Sequence, residues 1–344
     1  MTAPLLSIAI PTYNRASYLA LTLKELHAAL LTVAQGRIEI VVSDNASSDE
    51  TQKVVDAAIA GGLPVRSIRN TRNVGSDANI AQSFNLATGR YVLILGDDDV
   101  LISGTLASLV RHLEQGKFGV ICLRPYGYSD DFAAEYPGGS GQDKIFENAG
   151  AFLAAIGPYI TLISACVIEK SLLEGADARK FCGGNLVQVH LVMNAALRAK
   201  KYLFRTQYAV ACKRNNSGGY DFSKVFVEEL GNILDRYTKE GLPVASVRKF
   251  ESRMLLGYYP YYLLHQRLGR ADDLEMTYAR FAKRFKRRIL FWFWIAPIIK
   301  LPRPFSIAWG SMAVTIGRVL TGDFRRGVMY AWSCIGRPPL GGPG

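Results

Sequence analysis

Three clusters of polar residues within the first 100 positions could do chemistry, and one of them has side chains suited to binding a divalent cation. They are residues 11–15 (PTYNR), 43–49 (SDNASSD) and 96–99 (GDDD), and each follows a short apolar run. The three adjacent aspartates of the last cluster repel one another unless water or a cation neutralises them. Carboxylate oxygens are ligands that Mg²⁺ and Mn²⁺ prefer, usually together with phosphate oxygens of a substrate. The alternative is an acidic turn that caps a helix beginning near Ser103.

Short apolar runs alternate with helical patterns through the first 125 residues. The predicted strands cover 5–11, 38–43, 65–69, 91–95 and 119–123, and the predicted helices cover 17–34, 49–60, 77–88 and 103–115. Near-continuous apolar runs are typical of strands buried on both faces of a parallel sheet. This alternation predicts an open α/β sheet, in which ligands bind outside the carboxyl ends of the strands. We therefore expect the three polar clusters to meet at one edge of the sheet.

These blocks resemble the inverting family 2 glycosyltransferases, which have the GT-A fold. The matching segments are LSIAIPTYNR, IEIVVSDNASSD, RNTRNVG, ATGRYVLILGDDD and residues 101–104, in the right order over about 110 residues. The resemblance implies a Rossmann-like, mostly parallel sheet flanked by helices, and transfer of a sugar from a nucleotide-sugar donor. The variants GDDD, SDNAS and NVG look most like the abequosyltransferase-like subgroup, which attaches sugars to O-antigen and related surface-polysaccharide intermediates.

The resemblance implies a set of residues that contact the nucleotide. Arg15 would lie near the diphosphate, and Asp44 would accept a hydrogen bond from the base. The alternative for Asp44 is an Asx-turn or a helix cap. Residues that would border the base and ribose are Pro11, Thr12, Tyr13, Arg72 and Asn73.

The family's metal motif, Leu-Asp-x-Asp-Asp, occurs here in altered form as residues 95–99 (LGDDD), with glycine in place of the first aspartate. The last aspartate of the family's Asp-x-Asp then falls on Asp98, although Asp97 and Asp99 form a second Asp-x-Asp. We predict Asp98 as the direct ligand of Mn²⁺ or Mg²⁺, with Asp97 and Asp99 as further ligands. Asp97 is also expected to contact the donor, and Asp99 to be catalytic. The cation would act as a Lewis acid on the leaving diphosphate.

Inverting transfer requires a base that removes the proton of the acceptor hydroxyl. Many relatives place a Glu-Asp pair at the start of a later helix, but the corresponding residues 183–190 (GGNLVQVH) contain no carboxylate. His190 is the conventional base in this segment, and the alternative is a hydrogen-bonded helix histidine. Asp130, Asp131 and Asp143 are the other candidates.

The family's Arg-x-His, near the end of the catalytic domain, corresponds here to residues 213–217 (KRNNS). The resemblance implies that Arg214 meets the diphosphate and is catalytic. Asn216 stands where the family has histidine, so the resemblance leaves a third metal ligand open.

Composition excludes several classes of protein. Apolar residues make up 49% and charged residues 20% of the 344 residues, which excludes wholesale disorder. The five cysteines form no Cys-x-x-Cys pair, which excludes a zinc ribbon or disulfide scaffold and favours a reducing compartment. The N-terminal apolar run stops at Thr12 and does not read as a secretory signal.

The positive charge is concentrated at the C-terminus. Residues 1–240 hold 24 basic and 24 acidic residues, whereas residues 241–344 hold 17 basic and 5 acidic residues. Five cations within 283–288 precede the uncharged run 289–299 (ILFWFWIAPII), and a second uncharged run covers 304–317. Both runs are shorter than the ~18–20 residues that span a bilayer. We predict segments at about 283–337 that lie in an anionic membrane interface. The alternative is a buried helix beside a solvated basic face.

We therefore expect a GT-A catalytic domain over 1–220, with a nucleotide-sugar half (1–125) and an acceptor half (126–220) that begins with a mobile loop at 126–145. A helical C-terminal region would cover 221–344. The predicted acceptor is a polyprenyl-diphosphate-linked saccharide, because the basic tail would hold the enzyme as a peripheral, monotopic protein at the cytoplasmic face of a bacterial inner membrane.

Other functions remain as alternatives. The first is a polyprenyl-phosphate sugar transferase or a polysaccharide synthase with the same donor site, although a synthase usually carries transmembrane helices and Gln-x-x-Arg-Trp. A nucleotidyltransferase would be expected to carry a glycine-rich basic loop, which PTYNR is not. A nucleic-acid-binding protein is disfavoured, because the Trp and Phe residues of the tail lie inside apolar runs rather than between cations. The amino-acid sequence does not indicate the oligomeric state of the protein.

Overall fold

The computed structural model describes residues 3–139, 141–173, 175, 177–214, 219–269 and 273–321. The chain divides into two compact units, 1–219 and 220–344. The first unit is built around a mixed sheet, and the second unit is helical.

The first unit contains the predicted alternation of strands and helices and continues it with further strands. Its strands are β1 (Leu6–Thr12), β2 (Ile38–Asp44), β3 (Val65–Arg69), β4 (Tyr91–Ile94), β5 (Val100–Leu101), β6 (Val120–Tyr128), β7 (Lys144–Phe146), β8 (Cys166–Glu169) and β9 (Tyr202–Lys213). Its α-helices are α1 (Ala16–Leu30), α2 (Thr51–Ala60), α3 (Ser76–Leu86), α4 (Thr105–Glu114), α5 (Ala149–Ile156) and α6 (Val187–Arg198). Short 3₁₀ turns lie at Gly157–Thr161, Ile163–Ala165, Lys170–Leu173 and Ala178–Phe181.

The sheet has the strand order β3-β2-β1-β4-β8-β6-β9-β5, and β7 pairs with β9. Strands β3, β2, β1 and β4 are parallel to one another, so their carboxyl ends share one edge. In this register Thr12 lies opposite Asp44, and Asp44 lies opposite Arg69. The first two polar clusters therefore begin side by side, and the third follows β4 at the same edge.

Leucine and isoleucine side chains fill the layer between the parallel strands and two helices. Helix α1 contributes Leu19, Leu23 and Leu26, whose spacing places them on one face, and α4 contributes Leu106 and Leu109. Each fully buried leucine stabilises the fold by roughly 1.5–3 kcal/mol relative to an exposed one. This packing makes the parallel strands a rigid base for the loops at their carboxyl ends.

Beyond β4 the sheet differs from the mostly parallel arrangement expected from the sequence. Strand β8 is antiparallel to both β4 and β6, and β9 is parallel to β6 but antiparallel to β5 and β7. The predicted loop at 126–145 begins too early, because β6 continues to Tyr128 by pairing with β9. Tyr126 and Tyr128 are buried in this pairing, whose partner strand lies about 80 residues later in the chain.

The second unit is built from helices with an aromatic core. The helices are α7 (Leu230–Lys239), α8 (Val244–Arg253), α9 (Tyr259–Leu268), α10 (Leu274–Phe285), α11 (Ala296–Lys300) and α12 (Arg303–Leu320), and π-helical turns lie at Lys224–Glu229, Met254–Tyr258 and Phe291–Ile295. Rings that pack together include Phe222 on Tyr262, with centroids 4.5 Å apart, and Tyr259 on Phe281, with centroids 5.0 Å apart. Over the part of the chain that the structure describes, no helix combines the length and apolarity needed to cross a bilayer.

The basic block of 283–288 is partly turned into this unit. Arg284 pairs with Asp235 and Glu251, and Arg288 also pairs with Glu251. Lys283 pairs with Glu228, whereas Lys286 and Arg287 are exposed. Part of the positive charge seen in the sequence is thus neutralised within the unit.

The apolar run that follows this block is divided between the core and the surface. Phe291 and Ile295 are buried, whereas Ile289, Trp292 and Phe293 are 77%, 50% and 69% exposed. Helix α12 is apolar on its outer face as well, with exposed side chains at Phe305, Ala308, Met312, Ile316, Val319 and Leu320. The run therefore contributes both to the core of this unit and to its surface.

Candidate functional site

The loops after β1 and β2 are locked together at the carboxyl edge. The backbone N–H of Asn14 donates to Ser47 Oγ at 2.9 Å, and the backbone N–H of Ser48 donates to Asn14 Oδ1 at 2.7 Å. Asn14 and Ala46 have left-handed backbones, with φ of 51° and 63°. Left-handed non-glycine residues are strained, and such strain is concentrated at binding and catalytic sites.

Asp44 is the last residue of β2, and only one of its two carboxylate oxygens accepts a hydrogen bond from the described residues. Its Oδ1 accepts a hydrogen bond from the backbone N–H of Ser47 at 2.9 Å, which is the Asx-turn that the sequence offered as the alternative. Its Oδ2 lies 3.4 Å from Arg69 Nε but is buried and accepts no hydrogen bond from the described residues. A buried acceptor without a donor is costly, so a ligand N–H placed here would relieve an existing penalty.

Asn45 fixes the loop that follows β3. Its Nδ2 donates to Asn73 Oδ1 at 2.8 Å, and its Oδ1 accepts from Asn70 Nδ2 at 3.1 Å and from the N–H of Val74 at 2.9 Å. Asn73 Oδ1 also accepts from the N–H of Gly75, where φ is 89°. The predicted contact residue Asn73 therefore shapes the loop, and its neighbour Arg72 is exposed beside it.

Asp97 and Asp98, at the end of β4, both pair with the guanidinium of Arg15. Arg15 Nη1 lies 3.2 Å from Asp97 Oδ1 and 3.3 Å from Asp98 Oδ2. The other Asp97 oxygen accepts a hydrogen bond from Thr12 Oγ1 at 2.7 Å. The predicted donor-site residues Thr12 and Arg15 thus meet the predicted metal residues Asp97 and Asp98.

The Asp99 side chain points away from Arg15, towards the residues just before β8 and the end of β9. Its Oδ2 accepts from Ser164 Oγ, and its Oδ1 lies 3.3 Å from the backbone N–H of Lys213, which donates to it. The backbone of the turn is held by Thr22, whose Oγ1 donates to the carbonyls of Asp97 and Asp99 at 2.9 Å and 3.1 Å. The repulsion among the three carboxylates is reduced because Asp97 and Asp98 share the Arg15 guanidinium, while Asp99 turns away to Ser164 and Lys213.

Gly96 accounts for the altered metal motif. A Cβ at this position would lie 3.0 Å from Asp98 Oδ1 and 3.0 Å from Asp99 Oδ2. The carboxylates of this turn fold back over the glycine, so an aspartate here would press on both of them.

Burial changes the acidity of this cluster. Burial raises the pKa of the Asp97 carboxyl to about 6, although the Thr12 hydroxyl and the Arg15 guanidinium both act in the opposite direction. Burial and the charge of Asp98 also raise the pKa of Asp99 above its usual range, against the hydrogen bonds from Ser164 and Lys213. Added positive charge at this turn would favour the ionised forms of both groups.

The donor set of this turn fits a cation that is shared with a substrate. Within the described ranges, no three or more His, Cys, Asp or Glu side chains are arranged to hold a metal ion. Arg15 Nη1 nevertheless occupies the position between Asp97 and Asp98 where a cation would be neutralised by both. Mg²⁺ and Mn²⁺ commonly bind through one or two carboxylates and take their other ligands from water and substrate phosphates.

The remaining predicted residues have other partners. The His190 ring stacks on Phe181, with ring centroids 4.9 Å apart and an interplanar angle of 8°. Arg214 Nη1 donates to Ser129 Oγ at 3.2 Å and lies 3.1 Å from Glu135 Oε2. The structure thus places Arg214 against the loop after β6, and its predicted role at the diphosphate stays a prediction. Asn216 lies outside the described residues.

The other predicted contacts and candidate bases also have definite positions. Pro11 is half-buried within β1, and Tyr13 is exposed. Asp131 Oδ1 accepts from the backbone N–H groups of Ala133 and Ala134, as in a helix cap. Asp143 Oδ2 lies 3.5 Å from His112 Nε2, and Asp130 is exposed.

Sequence reasoning missed several residues that build the site. Ser164 and Lys213 come from the region of β8 and from the end of β9, and no short motif marks them as partners of Asp99. Tyr128 OH donates to the carbonyl of Asp98 at 3.1 Å from within the stretch expected to be a loop. Asn79 was assigned only to a helix, yet its Nδ2 donates to the carbonyl of Ser43 at 2.9 Å.

Comparison with known proteins identifies the family of the N-terminal part. The family model described as Glycosyl transferase family 2 matches residues 7–165. The abequosyltransferase of Salmonella typhimurium is 37% identical over 121 residues, which are 35% of this chain and 36% of that protein. The GalNAc(5)-diNAcBac-PP-undecaprenol β-1,3-glucosyltransferase of Campylobacter jejuni is 32% identical over 114 residues, 33% of this chain and 36% of that protein. The chain thus spans about a third of the length of these relatives.

Solved structures of similar fold extend over more of the chain. Crystal structures of S. aureus TarS 1–349 in complex with UDP-GlcNAc and with UDP superpose with TM-scores of 0.55 and 0.59 at 14% identity. They cover 96% of this chain and 92% and 91% of those chains, and at this identity the likeness concerns the fold alone. Residues 7–165 are therefore a family 2 glycosyltransferase domain, set in a chain with the GT-A fold.

Proposed function

We propose that this protein transfers a sugar, with inversion, from a nucleotide-sugar donor to a polyprenyl-diphosphate-linked saccharide during assembly of bacterial surface polysaccharide. One observation carries the proposal. At a single sheet edge, a buried acceptor without a donor (Asp44 Oδ2) accompanies a pair of carboxylates (Asp97 and Asp98) bridged by one cation. The activities of the Salmonella and Campylobacter relatives support the choice of acceptor and pathway class.

The donor site uses the two halves of this edge for different parts of the nucleotide. Asp44 Oδ2 accepts an N–H of the base, while the Asn45-braced loop carrying Arg72 and Asn73 borders the base and ribose. Pro11, Thr12 and Tyr13 line the same side. Arg15 approaches the diphosphate, because a guanidinium forms strong charge-assisted hydrogen bonds with phosphate oxygens.

A divalent cation, Mn²⁺ or Mg²⁺, completes the site. Asp98 would hold it together with Asp97, and the buried Asp99 keeps the turn in place through Ser164 and Lys213. When bound, the cation supplies Lewis-acid neutralisation of the negative charge on the leaving diphosphate. Burial of the cluster excludes water and strengthens that interaction.

His190 is the proposed base, which takes the proton of the attacking acceptor hydroxyl. Stacking on Phe181 fixes the plane of its ring, which a positioned base requires. The His190→Gln variant is expected to lose the acidic limb of the pH–rate profile. An unchanged profile would remove His190 as the base and direct the search to Asp130.

The C-terminal unit is proposed to bind the anionic cytoplasmic face of the bacterial inner membrane as a peripheral protein. The exposed Ile289, Trp292 and Phe293 come directly after the exposed cations Lys286 and Arg287. Aromatic and aliphatic side chains beside lysine and arginine are typical of interfacial segments. The predicted segment continues to 337, and its part beyond 321 lies outside the described residues.

Vesicle flotation tests this membrane proposal. Binding to phosphatidylglycerol-containing vesicles should weaken with salt but persist, because apolar insertion adds to charge attraction. The Phe293→Glu variant should lose most of this binding, whereas Leu31→Glu, which changes an exposed leucine of the first unit, should retain it. Equal binding by both variants, or unchanged binding after removal of 283–337, would contradict the proposal.

Thermal stabilisation by nucleoside diphosphates, with and without Mn²⁺, tests the donor site. A ligand that binds only the folded state stabilises it by about 2.7 kcal/mol at a hundredfold excess over its dissociation constant. The expected result is a Mn²⁺-dependent shift with one nucleotide that is reduced in Asp44→Asn. Folded protein that shows no shift with any nucleotide would contradict the proposed donor site.

A further inference from the structure

Asp77 links two parts of the first unit that lie far apart in the sequence. It sits in the first turn of α3 and is 8% exposed. Its Oδ2 accepts hydrogen bonds from the backbone N–H groups of Gly183 and Asn185, both at 2.8 Å. We propose that Asp77 is a positioning residue that sets the acceptor side of the site by holding the turn at 183–185. The proposal rests on the proposed glycosyl transfer.

The turn has a shape that needs such support. Gly183 has φ of 118°, and Asn185, which is not a glycine, has φ of 56°. Asparagine tolerates the left-handed region better than other non-glycine residues, so the turn can adopt this shape and the Asp77 carboxylate can hold it there. Hydrogen bonds from backbone N–H groups to an ionised carboxylate are about twice as strong as neutral ones. Ser76 Oγ adds a weaker bond to Asn185 Oδ1 at 3.4 Å.

The turn leads directly into the helix that carries the proposed base. Leu186 follows it, and the carbonyl of Leu186 accepts the backbone N–H of His190 at 3.3 Å. The conformation at 183–185 therefore fixes where α6 begins and which way His190 faces. Gly75 ends the loop after β3 that Asn45 braces, and Asp77 follows it by two residues, in α3. The Asp77 carboxylate therefore connects the end of this loop to the start of α6.

The second oxygen of Asp77 indicates that this link serves more than stability. Asp77 Oδ1 is buried and has no hydrogen-bond partner among the described residues. Leaving a buried acceptor unsatisfied costs about 1–3 kcal/mol, more for a charged group. Unsatisfied buried acceptors of this kind are common at binding and catalytic sites.

The opposite end of the same helix offers a matched control. Asn85, near the C-terminus of α3, donates from Nδ2 to Asp177 Oδ1 at 2.6 Å. The backbone N–H of Arg179 donates to the same oxygen at 2.9 Å. Asp177 thus also ties α3 to the segment before α6, through the bond from Asn85, while the bond from Arg179 stays within that segment. This link lies at the amino-terminal edge, away from the predicted donor site.

Three variants of the full chain separate positioning from stability. Asp77→Ala removes both bonds to the turn, Asp77→Asn keeps an oxygen that can accept them, and Asp177→Ala removes the control link. The measurements are UDP binding with Mn²⁺, hydrolysis of a UDP-sugar by water, and transfer to a synthetic polyprenyl-diphosphate monosaccharide. Hydrolysis and UDP binding report on the donor half, and transfer reports on both halves.

We expect Asp77→Ala to raise the acceptor KM by about tenfold or more, a loss of the size that a charged hydrogen bond supplies. UDP binding and hydrolysis should stay within about twofold of the wild type. Asp77→Asn should restore most of the transfer, and Asp177→Ala should lower the melting temperature without changing the acceptor KM. An unchanged acceptor KM in folded Asp77→Ala, or equal losses of UDP binding and transfer, would overturn the proposal.

Hydrogen exchange decides the same question without turnover. The N–H groups of Gly183 and Asn185 should be protected in the wild type, and Asp77→Ala should accelerate their exchange and that of the first turn of α6. Unchanged exchange would overturn the proposal even if transfer fell. A wild type that neither binds a nucleotide nor transfers a sugar would instead refute the proposed function, and the exchange result would still stand on its own.

Discussion

At the amino-terminal edge of the sheet, Glu39 Oε1 accepts hydrogen bonds from Ser7, Thr88 and Gly89, whereas at the carboxyl edge Asp44 Oδ2 accepts none from the described residues. Both acids lie on β2, one near each end. Burial raises the pKa of Glu39, but these hydrogen bonds and Arg66 more than compensate, and the pKa is lowered. Burial of Asp97 at the other edge is not compensated, and its pKa is raised to about 6.

This difference assigns stability and binding to opposite ends of the same strands. Glu39 joins the starts of β1 and β2 to the residues just before β4, so it holds the parallel strands in register. The carboxyl edge contains the strained Asn14 and Ala46 and an incompletely satisfied acid, which a bound nucleotide and cation would relieve. Substitutions at the carboxyl edge should therefore change binding more than stability, and those at the amino edge should do the reverse.

The largest expected effect is at Asp98. Asp98→Ala should reduce kcat/KM by about 100-fold or more, because the cation loses its main protein ligand and the leaving diphosphate loses charge neutralisation. The melting temperature without ligand should change little. Steady-state kinetics in Mn²⁺ measures the effect, with Asp56→Ala on the exposed face of α2 as the control. Near-normal turnover of folded Asp98→Ala would show that a different carboxylate holds the metal.

Asp44→Asn should weaken nucleoside diphosphate binding by about tenfold. The substitution replaces the carboxylate that would accept from the base with a neutral amide, whose NH₂ group is a donor. The bond from the N–H of Ser47 can be kept by the amide oxygen, so the fold should keep its stability. Calorimetric titration with UDP and GDP measures the change. Unchanged affinity for every nucleotide that the wild type binds would exclude Asp44 from the base site.

Arg15→Gln should tighten binding of Mn²⁺ alone by several-fold, about 1 kcal/mol, because the guanidinium no longer competes for Asp97 and Asp98. The same variant should bind nucleoside diphosphate more weakly when metal is absent. Electron paramagnetic resonance of free Mn²⁺ gives the affinity, with Arg90→Gln, which loses an ion pair to Glu169, as the control. Equal or weaker Mn²⁺ binding by Arg15→Gln would contradict this competition.

Glu39→Gln should lower the free energy of unfolding by about 1 kcal/mol at neutral pH and leave turnover unchanged. Because the folded pKa of Glu39 is lowered, its contribution is present above the ordinary value of 4.5 and is lost as the pH falls through the folded pKa. The difference between wild type and variant should therefore disappear in acid. Urea unfolding from neutral pH to below pH 4 checks it, and a constant difference would contradict the assigned pKa direction.

The smallest effect is expected at Ala46. Glycine relieves the left-handed strain but loses more backbone entropy on folding, so Ala46→Gly should stabilise the fold by about 0.5 kcal/mol. The loop that presents Asn45 would loosen at the same time, and nucleotide binding should weaken slightly. Denaturant unfolding together with UDP titration measures both. A destabilised Ala46→Gly variant would show that the left-handed residue carries no strain.

Local sequence patterns predicted β1 to β4 and α1 to α4, because these elements bury their apolar residues against sequence neighbours, but missed the two-residue β5, which pairs with β9. The prediction weakened where strands pair across long separations: Cys122 lies opposite Cys166, and Tyr128 lies opposite Lys213. The hydrophobic periodicity and the composition of a strand do not indicate which distant strand it pairs with. The sequence therefore predicted a sheet with more parallel strands than the structure has. It also predicted a loop at 126–145, which begins before β6 ends at Tyr128.

The candidate site shows the same division. Thr12, Arg15 and Asp97 were predicted and do meet, since the carboxyl ends of adjacent parallel strands must lie together. The contacts of Asp99 with Ser164 and Lys213 depend on strands that the sequence did not reveal. In the tail, the sequence shows five cations within 283–288 but not their partners: Arg284 and Arg288 fold onto Glu251, which lies more than 30 residues away.

The anchoring of the amino-terminal edge also bears on how such a domain diversifies. A Cβ at Gly89 would lie 2.6 Å from Ser7 Oγ and 2.7 Å from Ser7 N, so this position tolerates no side chain. At the other end of the same strands, the turn at 96–99 is crowded around Gly96, whereas Thr71, Arg72 and Val74 in the loop after β3 are exposed. Mutations that alter nucleotide choice can accumulate at these exposed positions while the fold is held elsewhere. A library intended to change nucleotide specificity should therefore vary residues 71, 72 and 74 while leaving Ser7, Glu39 and Gly89 fixed.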